Sequence, residues 1–283
     1  MIIFLIDGEN YSMIDKITNF SVLMSLYNNE KSSYLDDCFN SLFVQTLLPT
    51  EIVLVLDGPI NDSLMRVIDK WKERLPIKIF PIAINVGLGN ALNYGLSKCC
   101  NDLICRMDTD DICNAERFEK QIDYLIKHQN ICVLGSAIRE FNKENNESIR
   151  FSKVGHCNIV QYAKKRNPLN HMSVAFRKKH ILAVGGYHHH LYMEDYNLWL
   201  RLIAAGYELD NLEEPLVNAR VGEEMISRRK GWRYIRSEFK LYCLKKQLGI
   251  DSGVSAFSTL LLRTIPRVLP QYILSKIYTV LRA

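Results

Sequence analysis

Short apolar runs alternate with helical patterns through the first 110 residues, and each run stops at a polar cluster. Residues 20–26 end at Tyr27-Asn28-Asn29-Glu30, and residues 51–56 at Asp57-Gly58-Pro59. Residues 77–84 end at Asn85-Val86-Gly87, and residues 103–107 at Asp108-Thr109-Asp110-Asp111. Between them, residues 33–45 place Leu35, Cys38, Phe39, Leu42 and Phe43 at helical spacing. Residues 64–71 follow an Asn61-Asp62-Ser63 cap, and residues 90–99 give a third helix. Apolar runs bounded by turn residues read as strands, and their alternation with helices predicts βαβ units on a parallel sheet. Ligands bind beyond the carboxyl ends of strands in such sheets, so the four clusters are expected to share one rim.

The acidic cluster is the most demanding of the four. Three carboxylates among four residues repel one another unless a positive charge lies between them. A hard divalent cation, Mg2+ or Mn2+, suits such all-oxygen donors. A solvated turn or helix cap is the alternative. Beyond it the chain reads as a helix over 116–128, a strand over 131–138 and a polar turn over 142–147. A helix over 158–165, a strand over 172–176 and a short helix over 178–184 follow. Gly185-Gly186 breaks that helix, and Glu194-Asp195 introduces an amphipathic helix over 196–205. Residues 1–19 fit no clear element and are treated as an extension.

The length of 283 residues allows one large α/β domain with an appendage. Eight cysteines form no CxxC pair, and several fall inside apolar runs, so reduced thiols in a cytoplasmic protein are expected rather than a disulfide framework or zinc site. Residues 1–6 are apolar but too short for a signal segment, and they run into Asp7 and Glu9. No stretch is long enough to be a transmembrane helix. Charge is uneven: residues 228–283 hold 12 Lys/Arg against 2 acids, so the net +5 of the chain leaves a mildly acidic body and a strongly basic tail. Such a tail suits an anionic partner.

Five motifs in order carry a resemblance. They are Ser21-Val22-Leu23-Met24-Ser25-Leu26-Tyr27-Asn28; Asp57 at a strand end; Asn85-Val86-Gly87-Leu88-Gly89-Asn90-Ala91-Leu92-Asn93-Tyr94-Gly95; Asp108-Thr109-Asp110-Asp111; and Met193-Glu194-Asp195-Tyr196-Asn197-Leu198-Trp199-Leu200-Arg201. Over residues 20–219 the chain resembles family 2 glycosyltransferases, and more narrowly bacterial enzymes of O-antigen, capsule, lipopolysaccharide or exopolysaccharide assembly. The resemblance implies a GT-A (Rossmann-like), mostly parallel sheet flanked by helices. The expected boundaries are an extension at 1–19, a catalytic domain at 20–227 and a basic amphipathic helical tail at 228–283. The domain divides into a nucleotide-binding half (20–111) and an acceptor half (112–227).

The resemblance also implies roles. Asp110 and Asp108 would hold the metal, with Asp108 also placed for the ribose, and Asp111 would support the metal site or cap the next segment. Asp57 and Tyr27 would meet the base of a UDP-sugar. Asn85 and Asn90 would contact the donor or serve the turn alone. Asp195 would be the base of an inverting displacement, with Glu194 its partner or an acceptor contact. His171 would line the acceptor or diphosphate side, or be structural. Arg228 and Arg229 would clamp the diphosphate or lie in a solvated turn. The His188-His189-His190 tract reads as an acceptor loop or plain solvation rather than a metal site. Residues 232–236 and 260–281 mix aromatics, leucines and basic residues. They suit an anionic inner membrane surface, where a polyprenyl-diphosphate-linked saccharide acceptor would lie, or packing on the catalytic domain with a solvated basic face. No nucleic-acid partner is implied. A sugar nucleotidyltransferase is one alternative, although the Tyr27-Asn28-Asn29-Glu30 loop is neither glycine-rich nor basic. A non-catalytic scaffold of the same fold is the other.

Overall fold

The computed structural model describes residues 19–141, 148–150, 159–221 and 231–265. Residues 1–18 of the expected extension (1–19), the turn at 142–147, Arg228, Arg229 and the tail beyond 265 lie outside the described residues.

The first half is the alternation expected from sequence: β1 (Phe20–Leu26), α1 (Ser32–Phe43), β2 (Glu51–Asp57), α2 (Asp62–Lys72), β3 (Ile77–Ile82), α3 (Leu88–Lys98) and β4 (Leu103–Arg106). β3, β2, β1 and β4 pair in that order, all parallel. Because side chains alternate along a strand, β1 feeds two cores. Phe20, Val22, Met24 and Leu26 pack with Leu35 and Phe39 of α1 and with Ile68 and Trp71 of α2. Leu23, with Val53 and Val55 of β2, packs against Ala91, Leu92 and Leu96 of α3. Gly95 permits this second layer: a Cβ there would lie 2.5 Å from Leu23 Cδ1 and 2.7 Å from Val55 Cγ2.

The second half adds β5 (Ile112–Cys113), α4 (Arg117–Lys127), β6 (Ile131–Phe141), β7 (Ser148–Arg150), α5 (Ile159–Lys165), β8 (Ala175–Arg177), α6 (Lys178–Ala183), α7 (Glu194–Ala204) and β9 (Glu208–Arg220). The sheet continues β4-β8-β6-β9-β5, with β7 beside β6. β8 runs antiparallel to both its neighbours, so the sheet changes character at the junction of the halves. The strand expected over 172–176 is instead a 3-10 turn, His171–Ser173, followed by β8. β9 is absent from the sequence reading. Its ladder with β6 shifts register on either side of Ala137 and contains Pro215, so no clean period-two pattern survives in the sequence.

α8 (Trp232–Gln247) and α9 (Gly253–Thr264) form the described part of the tail. Tyr234 and Leu241 of α8 pack on Ala163, Met193, Tyr196 and Leu200. Among the described residues no helix is long and apolar enough to cross a membrane. The described cysteines are free; Cys100 and Cys243 are exposed and the others buried.

Candidate active site

β4 delivers the acidic cluster to the rim. Asp108, Asp110 and Asp111 each offer a carboxylate oxygen, and these atoms lie within 4.8 Å of one another. The last residue of β4, Arg106, is 2% exposed and forks onto Asp108: Nη1 donates to Oδ2 at 2.6 Å and Nη2 pairs with Oδ1. Among the described residues no ion pair reaches Asp110 or Asp111. Asp111 accepts the backbone N–H of Arg220 at 2.8 Å, which places it against β9 rather than at a helix cap. Arg220 Nε donates to the Asp110 carbonyl at 3.0 Å, and its guanidinium lies 3.9 Å from the Tyr34 ring centroid and 4.7 Å from that of Phe141.

Withdrawal from water, then Asp108, then Glu30, push the Asp110 carboxyl up to about 7. Burial and the two neighbouring aspartates raise Asp111 as well. With Arg106 paired to Asp108 alone, and Asp110 and Asp111 without an ion pair among the described residues, this all-oxygen group fits a hard divalent cation, and Asp111 stands as a third candidate donor beside Asp108 and Asp110.

The end of β2 is tied to the loop before α3. Asp57 Oδ1 accepts the Val86 N–H at 2.7 Å and Oδ2 the Gly87 N–H at 3.1 Å, while the Asn85 side-chain amide donates to the Asp57 carbonyl at 3.1 Å. Asn90 donates to the Val86 carbonyl at 2.9 Å. Both asparagines thus use an amide to shape this loop, and both are exposed on the rim. Tyr27 is half-buried at the end of β1. The first turn of α3 reaches across to the acceptor half at Gly89, where a Cβ would lie 3.2 Å from Glu194 Cγ.

Glu194 and Asp195 open α7. Asp195 Oδ1 accepts the Tyr196 N–H at 2.7 Å, and Oδ2 accepts the Asn167 side-chain amide at 2.6 Å. Loss of water raises Asp195 and pushes Glu194 up to about 7. His171 Nε2 lies 3.0 Å from the Tyr187 hydroxyl, and burial with the nearby Arg106 charge holds this imidazole neutral, far below its usual range. Burial raises the Tyr187 hydroxyl against the opposing pull of Arg106, and both Asp195 and Asp108 raise it further. The charges of the two acid groups, one just beyond β4 and one at the start of α7, are therefore both felt at one side chain.

The histidine tract divides. His188 and His189 are exposed, whereas His190 is buried, accepting from Asn197 at Nδ1 (3.1 Å) and donating from Nε2 to the Ser237 carbonyl (2.9 Å). His190 is thus a structural link between α7 and α8, not a solvated residue. Arg106, Asn167 and Tyr187 had no assigned role in the sequence reading. A basic residue ending an otherwise apolar strand, two positions before an acid, was the available signal for Arg106.

With this geometry in place, the profile described as "Glycosyl transferase family 2" matches residues 21–195. The chain belongs to this family.

The glycosyltransferase is 46% identical over 262 residues to "Amylovoran biosynthesis glycosyltransferase AmsE" of Erwinia amylovora, covering 92% of this chain and 97% of that one. It is 35% identical over 270 residues to "UDP-Gal:alpha-D-GlcNAc-diphosphoundecaprenol beta-1,3-galactosyltransferase" of Escherichia coli, covering 94% and 98%. In fold it matches S. aureus TarS 1-349 in complex with UDP-GlcNAc, with a TM-score of 0.66 at 19% identity over 88% of this chain and 72% of that one. It spans 43% of the longer TarS chain. The glycosyltransferase has the GT-A fold, and membership in this family replaces the nucleotidyltransferase and scaffold alternatives. Its rim carries a carboxylate cluster at one strand end, a loop held by Asp57, and a second acid pair opening α7.

Proposed function

We propose that this glycosyltransferase moves a hexose or N-acetylhexosamine from a UDP-sugar to a saccharide carried on a polyprenyl diphosphate, with inversion, in the assembly of a surface polysaccharide. Its likeness to the amylovoran enzyme and the galactosyltransferase, over nearly their whole lengths, supports the pathway class and the lipid-diphosphate acceptor. The observation that carries the mechanism is that the acid pair opening α7 lies against the first turn of α3, where a Cβ at Gly89 would be 3.2 Å from Glu194 Cγ, so it meets the rim that also holds the Asp108–Asp111 cluster.

In this reading Asp195 takes the proton from the acceptor hydroxyl as that oxygen attacks the anomeric carbon and the nucleoside diphosphate departs. The Asn167 and Tyr196 N–H donors hold the Asp195 oxygens in place. Glu194, beside Gly89 in the first turn of α3, lines the sugar between the two substrates. Asp110 and Asp108 would hold Mn2+ or Mg2+, with Asp111 in reach; the ion would neutralise charge on the leaving diphosphate. Asp57 and Tyr27 serve the uracil ring, Asp108 also the ribose, and Asn85 and Asn90 the donor edge of the loop. His171, kept neutral, lines the acceptor side, and Arg228 and Arg229 would reach the diphosphate.

The tail is proposed to rest on an anionic bilayer at the cytoplasmic face. Val254 (86% exposed), Leu262 (75%) and Trp232 (81%) offer apolar contact within a segment rich in Lys and Arg. The deciding assay supplies Mn2+, a panel of UDP-, GDP- and dTDP-sugars, and a GlcNAc-diphosphate lipid of short chain. Consumption of a UDP-sugar with formation of an inverted disaccharide is expected. Turnover of a GDP- or dTDP-sugar alone overturns the uridine assignment.

A further inference from the structure

The carboxy-terminal helices converge on the end of α5, two residues before Asn167. Three successive carbonyls there, of Ala163, Lys164 and Lys165, belong to the last turn, which has no internal donor for them. Each is taken by a different element. Tyr196 of α7 donates its hydroxyl to Ala163 at 2.5 Å, Lys245 Nζ of α8 donates to Lys164 at 2.7 Å, and Arg263 Nη1 of α9 donates to Lys165 at 3.0 Å. Lys245 is 4% exposed. Its ammonium lies 4.8 Å from the centroid of the Tyr196 ring, and the Arg263 guanidinium 5.7 Å.

The tail has 2 acids, Glu238 and Asp251, and both are buried beside these cations. Glu238 Oε2 accepts Arg263 Nε at 2.6 Å. The same residues therefore join α8 to α9 and both helices to α5. Loss of water draws Lys245 down to about 8, which still leaves it mostly protonated near neutrality. A basic helix meant only for solvent or a membrane has no need to bury a lysine against a peptide carbonyl.

We propose that Lys245 and Arg263 are positioning residues for transfer: by gripping the end of α5 they keep the Asn167 amide on Asp195 Oδ2. The proposal rests on Asp195 being the base. Asn167 lies just beyond the gripped turn, and Tyr196, held by the same turn and the same cations, is the neighbour of Asp195. Asp195, in a motif that ends at residue 201, thus depends for its alignment on α8 and α9.

The test separates geometry from charge and from the base assignment. The Asp195 carboxyl is titrated by carbon-13 NMR in the full chain, assigned with Asp195→Asn, and compared with Asn167→Ala, Arg263→Met, Lys245→Met, Arg263→Lys and the Asn167→Ala/Arg263→Met double variant. Groups facing Asp195 are Glu194 and Tyr196 on its own helix, Arg106 from β4 and Tyr187 from the loop before α7. The Asn167 hydrogen bond favours the ionised carboxylate, so its loss moves the titration upward, by about one pH unit. Arg263→Met and Lys245→Met are expected to move it the same way, Arg263→Lys much less, and the double variant no further than Asn167→Ala alone.

Additive shifts in the double variant would assign the effect to long-range charge and overturn the proposal. So would wild-type titration in both Met variants. Turnover of UDP-galactose with a GlcNAc-diphosphate alkyl acceptor in detergent reads the same set independently of any bilayer. kcat is expected to fall about tenfold with donor KM unchanged. Retained activity in Asp195→Asn removes the base reading itself. An inactive Asp195→Asn beside fully active Met variants removes only the role of the tail. If one Met variant fails to fold, the other gives the same comparison.

Discussion

Two carboxylate sites lie at opposite edges of the same parallel sheet, and they titrate in opposite directions. At the amino end, Glu51 of β2 is 2% exposed. Loss of water alone would raise it, but Lys78 Nζ at 2.8 Å, the Ser21 hydroxyl at 2.6 Å and the Cys100 N–H at 2.6 Å bring it down to about 2. At the carboxyl end, Asp110 is pushed up to about 7, and so is Glu194 on the facing helix. Burial acts alike on all three. What differs is the supply of donors: Glu51 has a full set, whereas the rim acids face each other. A carboxylate left in that state is available to a cation or a proton, and one held like Glu51 is available to nothing but the fold.

The widest break in this comparison is expected from Asp195→Asn. Removing a general base lowers kcat by about 10³-fold, while UDP affinity measured by calorimetry stays at the wild-type value. Asp110→Asn should act on the other side of the cleft. Mn2+-supported UDP binding is expected to weaken about 100-fold. In chelator at pH 8 the same variant should melt higher than the wild type, because one of three mutually repelling charges is gone; a lower melting temperature there would contradict the clustering argument.

Glu51→Gln should reverse that pattern, costing about 2 kcal/mol in urea unfolding with kcat unchanged. The folded-state value of Glu51 lies below its ordinary 4.5, so its contribution is present above that pH and disappears as pH falls toward 2. The gap between Glu51→Gln and wild type therefore closes in acid. Glu194→Gln supplies the opposite sign. Its folded value is about 7 against an ordinary 4.5, so the native state keeps a proton that the unfolded chain has released. Wild type is expected to lose ground to Glu194→Gln as pH rises between those values, by roughly 1 kcal/mol per pH unit at most. The histidines are common to both proteins and cancel from the difference.

The two halves of the domain were unequally legible. β1 to β4 and their helices follow from apolar periodicity, because each strand is short, buried and closed by turn residues. The rim followed too, since parallel strands bring their carboxyl ends together. β9 did not: Pro215, two adjacent glutamates and the register shifts opposite Ala137 erase the alternation that marks a strand. Contacts between distant segments were equally hidden. Nothing local to Arg220 announces that its backbone N–H meets Asp111. Nothing local to Lys245 announces a peptide carbonyl on α5. Asp111 read as a cap or support for the metal site because sequence shows the cluster but not the strand lying against it.

The bond between Asp111 and Arg220 also orders events during synthesis. Its partners lie 109 residues apart, the later one at the end of β9. Chains emerge from the ribosome amino end first, and β1 to β4 can assemble as a parallel unit long before β9 is made. Until Arg220 has cleared the exit, Asp111 lacks its backbone donor and Asp110 lacks the guanidinium at its carbonyl. A nascent chain stalled before that point would carry a nearly complete nucleotide half whose acidic cluster is still unfinished.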